Sequence, residues 1–229
     1  MNPAKKLALL LVPRTLRKWW QEEAKEKRAT RQEKIPKWEL QPKHVENARL
    51  LADREQLLAV LPRGAVCAEI GVNKGQFSER ILEINSPSKL HLIDAWGDEK
   101  RYHDGLKLEV NEKFQKEIAE GRVEINVGLS TAVLPAFPDV YFDWVYLDTA
   151  HTYSVTAAEL AILQHKVKQN GIIAGHDYCV GNWVGGVRYG VIEAVHELCV
   201  RADWEIIFQT AETQQPRSFA IRRIQPQPA

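Results

Sequence analysis

The apolar positions of this chain change period repeatedly from residue 44 onward. Between 44 and 62 they fall at helical spacing (Val45, Leu50, Leu51, Leu57, Leu58, Val60) and stop at Pro62, which predicts a helix. A short apolar run at 65–70 follows and ends in a glycine-bracketed turn, Gly71 to Gly75. The pattern then predicts a helix from Gln76 to about Ile84 and a strand at 90–93 ending at Asp94. A polar loop at 95–105 leads to a helix near 107–120 and a strand near 122–127. Next come a short helix around 131–134, a strand at 144–147, a helix at 153–168 and a strand at 171–174. The chain closes with a helix at about 187–201 and strands near 204–209 and 217–223.

Strands that alternate with helices imply right-handed crossovers and a sheet covered on both faces. The last two strands lack a helix between them and read as an antiparallel hairpin. The expected fold is therefore α/β: a Rossmann-like, doubly wound, mostly parallel sheet of seven strands with a terminal hairpin, plus an N-terminal helical extension. Residues 1–43 form that extension, helical or partly disordered; 44–225 form one domain and 226–229 a tail. There is no internal repeat.

Charge alters this picture only at the N-terminus. The chain has 31 Lys+Arg and 30 Asp+Glu, a net +1 that looks neutral. Residues 1–43 carry twelve basic and five acidic side chains, so a +7 arm precedes a −6 body. The arm's apolar run, residues 7–12, is far below the roughly 20 residues needed to span a bilayer. It reads as a solvated helix or leader, or as an amphipathic segment using Leu10, Leu11, Trp19 and Trp20. In the second reading it rests on anionic lipid, docks on a partner or pairs subunits in a homo-oligomer. No reading motif for nucleic acid accompanies the charge, so none is expected as a partner. Three cysteines without a CxxC pair argue against a disulfide scaffold and a thiolate zinc site, and fit a cytoplasmic protein, peripheral to membrane in the lipid-docked case.

In open sheets of this kind ligands sit beyond the carboxyl ends of the strands, so chemistry is sought there. The first strand ends in Glu69-Ile-Gly71-Val-Asn73-Lys-Gly75. Its glycines let backbone approach a ligand, but the spacing is not that of a nicotinamide fold. Glu69, an acid at the end of a buried strand, needs a partner. Asp94 can accept hydroxyl protons of a ribose, and Trp96 can stack on an adenine face or simply cover the sheet end. Ser130 either caps the short helix after it or hydrogen-bonds a base edge. The next two strands deliver Asp148 with His151, and His176 with Asp177. Four ionisable groups at neighbouring strand ends mark a candidate catalytic centre.

On these residues the segment 44–223 resembles a class I S-adenosylmethionine-dependent methyltransferase. AEIGVNKG is similar to that family's first motif, with Glu69, Gly71, Asn73 and Gly75 in the cofactor loop. The resemblance implies Asp94 on the cofactor ribose, Trp96 and Ser130 by the adenine, and Asp148 near the methionine portion. YLDTAHTY and GIIAGHDY resemble a small-molecule O-methyltransferase subgroup of the macrocin type and, more distantly, catechol-type enzymes. The distant likeness implies a divalent cation, magnesium or manganese, at Asp148, His176 and Asp177, with His151 at the position of the base. Magnesium prefers oxygen ligands, so His176 suits manganese, iron or zinc better, or else contacts substrate.

The implied reaction moves a methyl group to a hydroxyl of a sugar, natural product or phenol. Imidazole titrates close to neutral pH, which suits His151 to take the hydroxyl proton, with Asp148 and His176 assisting. The loop at 95–105, with Tyr102 and His103, and the stretch 180–189, with Trp183 and Tyr189, are expected to frame the acceptor. Two rivals remain: an antibiotic-tailoring hydroxylase-like enzyme on the same fold, and a non-catalytic cofactor-binding domain recruited by its basic arm.

Overall fold

The computed structural model describes residues 34–97, 105–182 and 186–225, with Leu16, Lys18, Trp19, Glu22 and Glu23 of the arm. Met1–Pro36 and Lys37–Ala229 are two separate units. The five arm residues are helical, with Leu16 and Trp19 exposed. Leu10, Leu11, Trp20, Tyr102, His103 and Trp183 lie outside the described residues. Among the described residues no helix is long and apolar enough to cross a membrane.

The second unit is built on one eight-stranded sheet. Its strands are β1 (Arg49–Leu51), β2 (Val66–Ile70), β3 (Lys89–Asp94), β4 (Val123–Val127), β5 (Phe142–Leu147), β6 (Val167–Gly175), β9 (Trp204–Thr210) and β10 (Phe219–Arg223). They lie in the order β1-β9-β10-β6-β5-β2-β3-β4. All are parallel to their neighbours except β10, which runs antiparallel to both β9 and β6. A separate two-stranded hairpin joins β7 (Gly181–Asn182) to β8 (Val187–Arg188). The helices are α1 (Arg54–Val60), α2 (Gln76–Asn85), α3 (Leu106–Lys113), α4 (Gln115–Ala119), α5 (Ser130–Val133), α6 (Tyr153–Lys166) and α7 (Val191–Ala202).

Strand alternation sorts the core into two layers. Ala68, Ile70, Val145 and Leu147 pack toward α6 and α7, against Leu160, Leu163, Val195 and Trp204. Cys67, Leu90, Leu92, Trp144 and Tyr146 face the other way, against Leu57, Leu58, Ile81 and Val110. Glu69 shares a face with Cys67, so its carboxylate points at α2 rather than into the apolar layer under α6.

The seven expected strands and the terminal hairpin are all present; the differences are local. The predicted helix at 44–62 is instead a short 3-10 turn (Pro42–His44), strand β1 and helix α1. Asp53 explains the late start of α1, because its side chain accepts the Gln56 N–H and caps the helix there. Arg49–Leu51 instead pair with β9. Residues 37–43, expected to belong to the arm, pack on the body: His196 Nδ1 donates to the Trp38 carbonyl and Lys43 pairs with Asp203. The helix near 107–120 is broken at Phe114, whose ring is buried. The last helix begins at Val191, since 187–188 belong to the hairpin.

The register of the central strands decides where the site lies. Ile70 pairs with Ile93 and with Leu147, and Leu147 pairs with Gly175. The next residue of each strand, Gly71, Asp94, Asp148 and His176, therefore stands in one row. The ladder continues past the strands through Gly71 N to Ile93 O (2.8 Å), Asp148 N to Ile70 O (2.7 Å) and His176 N to Leu147 O (2.9 Å). At Gly71 the backbone is left-handed (φ 93°), and a Cβ there would lie 1.9 Å from the Asp148 carbonyl oxygen. Gly71→Ala is expected to destabilise the protein by more than about 1 kcal/mol in urea unfolding, because strain and overlap act together.

Candidate active site

Above this row opens a cleft of about 820 Å³. Glu69, Gly71, Asn73, Asp94, Ser130, Asp148 and His151, seven of the residues singled out from the sequence, line it. Gly75 forms the left-handed N-cap of α2, and Trp96 is tied to the loop by Nε1 donating to the Asn73 carbonyl at 2.9 Å. His176 and Asp177 stand behind the wall made by Asp148 and His151 and are both buried.

Asp94 holds the glycine loop together. Its Oδ2 accepts the N–H groups of Val72 and Asn73, each at 2.9 Å, and its Oδ1 accepts that of Trp96 at 2.9 Å. A carboxylate offers roughly four acceptor directions. Three are taken, so Asp94 can receive about one further proton rather than the two of a ribose diol.

Glu69 is 2% exposed and accepts a hydrogen bond from Ser78. Burial pushes its carboxyl up to about 8; the Ser78 hydroxyl and Arg54 oppose the shift, and Asp148 and Asp94 add to it. Arg54 also lines the cleft, its guanidinium 4.8 Å from the centre of the Phe77 ring. Sequence reasoning passed over Arg54. The available signal was a cation in the first turn of a helix, where the macrodipole disfavours it.

Asp148, His151, His176 and Asp177 form one cluster. His151 Nδ1 lies 2.8 Å from Asp177 Oδ2. His176 Nδ1 lies 3.5 Å from the same oxygen and 3.8 Å from Asp148 Oδ2. Burial works to raise Asp177, but hydrogen bonds from both histidines override it and hold the carboxyl well below the usual range. For His176 burial works downward, and the two carboxylates overcome it, so its pKa is raised. Burial raises Asp148, with His176 opposing. The donor atoms that come within 4.8 Å of one another are those of Asp148, His151 and Asp177. Among the described residues the compact set thus contains His151, where His176 was expected, and the buried Nε2 of His176 has no hydrogen-bond partner.

The geometry is held under backbone strain. His151 (φ 56°) and Asp177 (φ 59°) are both left-handed, as are Asn73 (52°) and Trp96 (40°). Such residues cost on the order of 1–3 kcal/mol each and persist where surrounding structure over-determines them. At His151 the fixing contacts are Gly190 N donating to its carbonyl (2.8 Å) and the Tyr189 ring, 4.9 Å from the imidazole. Glu159 of α6, also passed over in the sequence, forms the floor beside Ser130 and Thr149.

Residues 68–178 match the family model for a methyltransferase domain. The matched segment runs from β2 to just past the end of β6 and holds nearly every candidate residue. None of the curated proteins compared matches the chain. Among solved structures, a S-adenosylmethionine-dependent methyltransferase from Aquifex aeolicus is 15% identical, with a TM-score of 0.55, over 75% of this chain and 89% of that one. The cyclase SpnF is 13% identical, with a TM-score of 0.57, over 74% of this chain and 80% of its own. The pyocyanin biosynthetic protein PhzM is 14% identical, with a TM-score of 0.55, over 74% of this chain; the chain spans about half of PhzM (53%). At these identities the likeness concerns the fold, a Rossmann-like methyltransferase fold.

Glu69 makes the stability of the fold pH-dependent. Its folded pKa of about 8 lies above the ordinary 4.5, so the folded state holds a proton that the unfolded chain releases between those values. Its contribution is present below about pH 4.5 and lost as pH rises through about 8. Glu69→Gln is expected to flatten this fall, by at most about 1.4 kcal/mol per pH unit, in urea titrations compared at pH 5 and pH 8.

Proposed function

We propose that the chain is a S-adenosylmethionine-dependent O-methyltransferase acting on a small hydroxylated molecule. The observation that carries this reading is the Asp177–His151 pair set beside Asp148 at the mouth of the cleft. S-adenosylmethionine, when bound, supplies an electrophilic methyl group. The cleft suits it on two counts. Its volume is in the range of small-molecule sites. Asp94 holds the loop's N–H groups and keeps an acceptor direction free.

In this reading Asp177 fixes the His151 ring through Nδ1 and stabilises the charge that the ring takes up. Nε2 is then the atom that accepts the hydroxyl proton. Asp148, with its raised pKa, stands next to the reacting centre, and Tyr189 backs the imidazole. A hydroxyl acceptor explains the arrangement better than a nitrogen or carbon acceptor, because it is the hydroxyl that must lose a proton to a nearby base. General-base catalysis of this kind contributes roughly 10²–10⁴-fold. His151→Ala is accordingly expected to lower kcat by about 10²-fold or more while leaving the affinity for S-adenosylhomocysteine essentially unchanged. The reading as a whole is tested by incubation with methyl-labelled S-adenosylmethionine and a panel of sugars, phenols and hydroxylated natural products. Label transfer to none of them would sink it.

The donor set of Asp148, His151 and Asp177 favours a metal-assisted version. Two oxygens and one nitrogen suit manganese, iron or zinc better than magnesium. A divalent cation, when bound there, lowers the pKa of a coordinated hydroxyl. His151 Nδ1 would then serve the metal rather than the Asp177 carboxylate. Under this version treatment with EDTA abolishes label transfer and added manganese restores it; full activity after chelation overturns it.

A further inference from the structure

Glu159 is a charged residue with no exposed surface at all, on the first half of α6. Its two carboxylate oxygens are divided between two loops. Oε1 accepts the hydroxyl of Ser130, on the loop after β4. Oε2 accepts the hydroxyl of Thr149 at 2.9 Å, on the loop after β5. Both hydroxyls line the same cleft as Glu159 itself. A buried carboxylate is costly unless it is hydrogen-bonded; burial raises the pKa of Glu159, and the two hydroxyls oppose that shift.

This arrangement has a consequence for Ser130. A hydroxyl has one proton and two lone pairs. With its proton committed to Glu159, Ser130 Oγ can offer the cleft lone pairs only. We propose that Glu159 is a positioning residue that turns Ser130 into an obligate hydrogen-bond acceptor, so that the cleft selects a base with an exocyclic amine over one with a carbonyl. This rests on the methyltransferase reading, in which the base is the adenine of the cofactor. Adenine's 6-amino group donates to Ser130. The 6-oxo group of hypoxanthine would meet lone pairs with lone pairs, leaving two acceptors opposed and unsatisfied. Thr149 fills the other carboxylate oxygen and takes no part in reading the base.

The test is calorimetric binding of S-adenosylhomocysteine and S-inosylhomocysteine to the full chain and to three variants. The wild type is expected to prefer the adenine compound at least about tenfold, the loss that follows from an unsatisfied polar pair. Glu159→Met keeps the side-chain volume but frees the Ser130 proton, and Ser130→Ala removes the acceptor. In both, the preference is expected to fall to within about threefold. Thr149→Val removes the other hydroxyl and is expected to keep the wild-type preference. A preference that survives in Ser130→Ala, or in folded Glu159→Met, overturns the inference. So does a loss in Thr149→Val, which would show that the cluster acts through packing alone. Wild-type protein that binds neither compound overturns the methyltransferase reading itself, whereas adenine-compound binding without discrimination overturns only the role given to Glu159.

Discussion

The shared register of β3, β2, β5 and β6 is the constraint on which the rest of this structure depends. Ile93, Ile70, Leu147 and Gly175 lie level, so four strands release their chains at one height. The side-chain period of a strand is two, and a slip of one residue would carry the apolar set to the opposite face and move every strand-end residue with it. Burial of Trp144 and Tyr146 on one face and Val145 and Leu147 on the other penalises such a slip. The contact of Gly71 with the Asp148 carbonyl is the outcome of that register. It sets the distance between the loop after β2 and the loop after β5, and so the width of the cleft.

Five acids gather around this cleft, and each is held in a different way. Asp94 is spent on three backbone N–H groups. Glu159 is satisfied by two hydroxyls. Glu69 holds its proton into neutral pH because burial outweighs its single hydroxyl partner and Arg54. Asp177 is kept ionised by two histidines, while burial leaves Asp148 with a raised pKa. Groups of one chemical type pushed in opposite directions provide proton acceptors and neutral hydrogen-bonding groups side by side at one pH. The same fold carries other outcomes, as the likeness to a cyclase shows, so the chemistry is argued from this set of side chains and not from the sheet.

The basic arm stands apart from this economy of charge. Its +7 lies mostly in Met1–Pro36, one of the two units, while all the site residues fall within residues 44–229, of net −6. Residues 37–43 pack on α7, where Lys43 meets Asp203 and Trp38 meets His196.

The sequence by itself determined the order of strands and helices, the glycine turn after β2 and the placing of Asp94, Asp148, His151, His176 and Asp177 near strand ends. These are local or periodic signals: β-branched runs, a pair of glycines, and polar residues where an apolar run stops. What only the tertiary structure decided depends on partners distant in the chain. β1 reads as helix because its three residues draw their hydrogen bonds from β9, more than 150 positions away. Arg54 and Glu159 look like ordinary helix residues until folding sets one beside Phe77 and the other beneath Ser130 and Thr149. The choice between His151 and His176 as the closer partner of Asp177 is of the same kind. Both histidines stand at strand ends; His151 and Asp177 each have left-handed backbone, Gly190 and Tyr189 contact His151, and it is His151 that lies 2.8 Å from Asp177.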